Sequence, residues 1–120
     1  MKTTGRETIG TFENEMFFAG TTHPADTCHV TIVAGANHVR GEVLGVDDSG
    51  ECDILGTAGF TAAYILAEDV DATSAKAVAS AYRSGDFVRN ALTVKEGYSI
   101  TVADEKTLRD AGIYLADGIL

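Results

Sequence analysis

Basic side chains are scarce: nine Lys and Arg stand against eighteen Asp and Glu, for a formal charge of −9. A chain this acidic repels phosphate backbones, which argues against nucleic acid or an anionic membrane surface as partner. Proline is nearly absent, with Pro24 alone beside 13 glycines, so tight turns should be many and stiff linkers few. No apolar run approaches a bilayer span, and the opening MKTTGRETIG lacks the apolar core of a secretory signal. These absences predict a protein made and kept in a cytoplasm. At 120 residues the chain fits one domain, large enough to bury a core and too short for a two-lobed enzyme.

Cysteine is also sparse, and Cys28 and Cys52 read as reduced thiols serving as core packing. A metal centre could be drawn from Cys28, His29 and Cys52 with His23 and His38, but no C-x-x-C or H-x-x-x-H pair seats two ligands locally. A small metal-binding protein using Cys28, His29 and Cys52 is therefore the alternative reading. No G-x-S-x-G elbow or phosphate-cradling G-x-x-x-x-G-K-[ST] occurs, and no histidine lies beyond His38. His38 and Arg40 sit in GANHVRG, which reads as an exposed polar turn.

The stretch AAYILAEDVDATSAKA sets Glu68, Asp69 and Asp71 at the mouth of an apolar run. Paired carboxylates in such a place can divide acid and base roles, provided an apolar setting holds one of them protonated. Asp, Thr and Ser also take over wherever a strand ends, because their side chains bond a turning backbone. No partner base is in sight, so the turn reading is preferred to a carboxylate-dependent hydrolase.

What is present is mostly the pattern of β structure. CHVTIVA alternates Cys28, Val30, Ile32 and Ala34 against His29, Thr31 and Val33, the period of a half-buried strand. EVLGV and ECDIL flank the turn formers DDSG and predict a hairpin. TAAYILA suits a strand buried on both faces, AVASAYR its partner, SGDF a further turn and YSITV another strand. One helix is marked by Thr101 with Asp104 three residues on, by EKTLRD, and by Gly112 at the left-handed end position; IYL then reads as a last strand.

Residues 1–15 carry five charges and four threonines, with Ile9 and Phe12 as the interior apolar side chains, and read as a mobile arm. MFFAG follows abruptly at Met16, where three large apolar residues in a row need a core or a partner. The expected division is thus an arm, 1–15, and one β-rich domain, 16–120.

Taken in order, FFAG after a polar arm, RGEVLG, ILAEDVDAT, GDFVRNAL and LRDAGIYL resemble the head decoration proteins of tailed bacteriophages, the lambda protein D type, from about Met16 to Leu115. The resemblance implies a mainly β single-domain fold of the decoration (β-tulip-like) type, with one short helix near the C-terminus, no catalysis and no cofactor. It implies a virion structural protein that binds the expanded head as homotrimers at threefold positions on the outer surface. The partners would be the major capsid protein and other copies of the chain. The arm would add to the shell as an extended segment, with Thr8, Ile9, Gly10, Thr11 and Phe12 best suited to it. His23, Cys28, His29 and Cys52 match no motif of that family, and the arm lacks the prolines of some of its members.

Overall fold

The computed structural model describes residues 24–117. They form β1 (Asp26–Ile32), β2 (Ala36–His38), β3 (Val43–Val46), β4 (Cys52–Ile54), β5 (Thr61–Leu66), β6 (Val70–Ala72), β7 (Ala77–Val88), a single turn of 3-10 helix (Arg89–Ala91), α1 (Val102–Ala111) and β8 (Ile113–Ala116). The fold is mainly β with one short helix near the C-terminus, as the alternation predicts.

The order β1-β4-β3-β5-β7 closes on itself, because β1 also pairs antiparallel with β7, from Asp26 opposite Ser84 to Ile32 opposite Ala77. Alternate residues of these strands fill the small barrel so made. Val30 and Ile32, Leu44, Leu66, and Ala79 and Ala81 pack there with Cys52. The small β7 side chains leave room for the large ones opposite. The second sheet, β2 with β6, lies across one end, where Ala72 is fully buried against the barrel interior and its carbonyl accepts the Gly35 N–H at 2.7 Å.

A second apolar cluster forms on the outer face of the sheet. Val43 and Ile65, whose neighbours Leu44 and Leu66 point into the barrel, face Phe87, Leu108 of α1 and Ile113 of β8. This is the period-2 alternation of strands serving two cores at once. The helix is fixed at both ends as the sequence indicates. Thr101 Oγ1 accepts the Asp104 N–H at 3.0 Å, Asp104 Oδ2 accepts the Thr101 N–H at 3.0 Å, and Gly112 stops the helix at φ +107°. Tyr98 donates its hydroxyl to the same Asp104 carboxylate, tying the preceding loop to the cap.

Three expectations are corrected. SGDF does not turn: β7 runs straight through it and pairs parallel with β8 from Gly85 to Val88. Gly85 makes this possible, since its φ of +138° is a conformation that side chains disfavour and that lets one long strand leave the barrel and continue beside β8. YSITV is not a strand, because Thr101 is the helix cap and Val102 already lies in the helix. GANHVRG is not a simple exposed turn: it contains β2, and His38 is 3% exposed.

Candidate functional site

Of the sequence-derived candidates, Thr8, Ile9, Gly10, Thr11 and Phe12, with His23, lie outside the described residues; the others can be followed one by one. The acids of EDVDAT each hold a piece of backbone. Glu68 accepts the Ser80 N–H at 2.7 Å, Asp69 accepts the Arg40 N–H at 2.9 Å across the chain, and Asp71 accepts the Thr73 N–H at 2.9 Å. Bonds from the Thr73 hydroxyl and backbone hold the Asp71 carboxyl below its ordinary range, so it stays ionised. All three acids are exposed and none is set in an apolar pocket; the arrangement is a set of turn clamps.

Sequence reasoning missed a buried polar cluster, His38 with Glu42. His38 Nδ1 lies 2.7 Å from Glu42 Oε1, and Glu42 Oε2 accepts the Val39 N–H at 2.8 Å. Both residues are nearly excluded from solvent, at 3% and 5% exposure. Asp53 stands 3.8 Å from His38 Nε2, on the far side of the ring, while accepting its own neighbour's Ile54 N–H. Backbone bonds converge on the same place: the Glu42 carbonyl accepts the Leu66 N–H at 2.8 Å, and the Gly41 N–H reaches the Leu66 carbonyl at 2.9 Å. With every Glu42 oxygen engaged, the cluster fastens the β2–β3 connection to the end of β5. The signal was the i,i+4 spacing of His38 and Glu42, obscured by the glycines on either side.

Cys28 and Cys52 are both free thiols, and among the described residues no three His, Cys, Asp or Glu side chains converge closely enough to hold a metal ion. The set Cys28, His29 and Cys52 is therefore not brought together; His29 is exposed and Cys52 fully buried. Burial, with Asp47 and Cys28 adding to it, pushes the Cys52 thiol from 9.0 up to about 11. Such a thiol packs and does not react. The sign of its effect on stability is definite. As pH rises past 9 the unfolded chain releases this proton before the folded one does, so stability falls between pH 9 and about 11 and is untouched below. The expected loss by pH 11 is about 2 to 3 kcal/mol. Urea unfolding at several pH values checks it, with Cys52→Ala showing a correspondingly shallower alkaline decline.

The described residues include a concave feature. At the end of the barrel opposite the β2–β6 sheet, Cys28, Tyr64, Ala62 and Ala63 line an open groove of about 440 Å³, with Ala111 of α1 at its side and Arg83 at its rim. His29 and Thr107 complete its lining. Among the described residues no helix is long and apolar enough to cross a membrane.

These observations define a small β domain whose polar side chains are spent largely on clamping turns, capping the helix and pairing with one another. The sequence profile of the family described as bacteriophage lambda head decoration protein D matches residues 7–113, nearly the whole chain, and the chain belongs to that family. It is accordingly a structural protein of the bacteriophage head, associated with the capsid of the virion. A comparison with curated proteins finds no match.

Proposed function

We propose that the chain decorates and stabilises the expanded phage head, binding as homotrimers at threefold positions on the outer surface and carrying out no catalysis. The observation that carries this reading is the family match over residues 7–113, which takes in both the β domain and the segment Thr8 to Phe12. In this reading residues 1–15 are the arm, and Thr8, Ile9, Gly10, Thr11 and Phe12 add to a strand of the major capsid protein. Main-chain bonds then give affinity, and side chains on alternate faces find pockets. The folded domain favours such an attachment, because Pro24, Ala25 and Asp26 are exposed and the chain joins the domain at its surface. Three arms on one trimer multiply a modest individual affinity, since each docked arm raises the effective concentration of the others. The acidic balance keeps the free protein soluble in the host cytoplasm before assembly and gives it no affinity for the packaged DNA.

Electron microscopy of expanded shells mixed with the purified protein tests this. Protrusions at threefold positions are the expected result. Shells of its own virus that stay bare at saturating protein would overturn the proposal.

A further inference from the structure

β1 and β7 pair without interruption from Thr27 opposite Tyr82 to Ile32 opposite Ala77, but the next pair is Asp26 with Ser84. Arg83 is therefore an extra residue on β7, a bulge, and a bulge re-aims its side chain. Here Arg83 Nε and Nη2 both donate to Asp26 Oδ2, at 2.7 and 2.6 Å. The next two residues of β7 meet the two that precede Asp26. Ser84 donates its hydroxyl to the Pro24 carbonyl at 2.9 Å, and Gly85 lies so close to Ala25 that a β-carbon on it would stand 3.3 Å from the Ala25 Cα. Pro24, Ala25 and Asp26 are thus seated on Arg83, Ser84 and Gly85.

The base of this seat is fixed. Gly85 donates its N–H to the Gly112 carbonyl, just past the end of α1, at 3.0 Å, and it pairs with Ile113. Phe87, two residues on, is fully buried. The seat itself lies in solvent, with the Arg83 and Asp26 side chains 59% and 54% exposed. An exposed ion pair contributes little to global stability, so these contacts serve local order and leave the core unaffected. Pro24 adds a fixed φ, which gives the chain a set heading where it enters.

We infer that the seating of Pro24, Ala25 and Asp26 on Arg83, Ser84 and Gly85 is a positioning device: it holds the entering chain at one point and one heading on the domain, and so pre-organises the segment upstream for attachment. A segment that leaves from a fixed point loses less freedom on docking than one that leaves from a loose end, and three such segments on a trimer compound the difference. That consequence rests on the proposed attachment to the shell, whereas the seat is a property of the free domain.

Asp26→Ala/Ser84→Ala in the full-length protein removes both side-chain bonds. Nitrogen-15 relaxation reads the order of the Ala25 amide, with Val30 inside the ladder as reference. In the parent the Ala25 order parameter should match that of Val30, at about 0.85, and in the variant it should fall below about 0.6 with Val30 and the thermal melt unchanged. On expanded shells the variant should bind about tenfold more weakly. Asp26→Arg alone should act likewise, and Arg83→Asp added to it should restore both order and affinity, a rescue that general destabilisation would not give. An Ala25 amide already mobile in the parent, or a charge exchange that restores nothing, would overturn the inference. A loosened variant that binds shells as the parent does would overturn the role in attachment. Shells that stay bare with the parent as well would overturn the proposed function and that role with it, while the order parameters still decide the seat.

Discussion

Removing residues 1–15 is expected to weaken decoration of expanded shells by about 100-fold or more, with the thermal unfolding of the domain left close to that of the parent. The reasoning starts from cost. Ordering an extended segment takes about 1 to 2 kcal/mol per residue, more than the burial of Ile9 and Phe12 alone can offset. In the proposed attachment main-chain pairing along Thr8 to Phe12 supplies the rest, and deletion would remove it from every arm of a trimer together. Phe12→Asp in the full-length chain should act in the same direction without shortening it, because on the same proposal it would place a charge where an apolar side chain is to be buried. A binding titration on expanded shells, run beside thermal melts, reads both quantities. Undiminished affinity in the deletion would place the shell contact on the folded domain instead.

Glu42→Ala carries the largest expected loss of stability, about 2 to 5 kcal/mol. It leaves His38 Nδ1 and the Val39 N–H without their shared acceptor in a site that excludes water. Each buried polar group left unsatisfied costs about 1 to 3 kcal/mol. Glu42→Gln keeps the shape and one acceptor oxygen and should cost roughly 1 kcal/mol. Urea unfolding monitored by tyrosine fluorescence measures the difference. A loss below about 1 kcal/mol for Glu42→Ala would mean that water enters to satisfy the freed groups.

How legible the fold was in the sequence depended on how local its causes are. The β3–β4 hairpin announced itself because both strands and the turn DDSG lie within one short stretch, and Asp47 does what a turn Asp does, accepting the N–H groups of Ser49 and Glu51. The helix was legible for the same reason: Thr101, Asp104 and Gly112 satisfy terminal backbone groups within a few residues. The length of β7 was hidden, since Ser84-Gly85-Asp86 spells a turn and only the distant β8 supplies the partner that holds it extended. YSITV misled because β-branched residues at alternate places suit a strand, while the cap at Thr101 ended any such strand before it began. Ala34 was assigned to a buried face and is exposed, because β1 ends at Ile32. Of the site, the turn role of Glu68, Asp69 and Asp71 was readable from residue type alone. The His38–Glu42 clasp was not, because its spacing is local but its burial comes from the backbone bonds of Gly41 and Glu42 to the distant Leu66, and the groove was not, because it depends on β1, β5, β7 and the helix meeting.

The β1–β7 ladder sets how the domain answers a pull. Were a tether at Pro24 drawn along the β1 axis, all the paired positions from Asp26 to Ile32 would be strained together, in shear, and no single hydrogen bond would fail first. The load would pass to β7, which is anchored in turn by β5 within the barrel and by β8 and the helix layer beyond it. A force directed across the ladder would instead open it one rung at a time, beginning at the register shift beside Asp26. The domain is therefore strong along one direction and weak along another, and the angle at which a tether leaves it decides which.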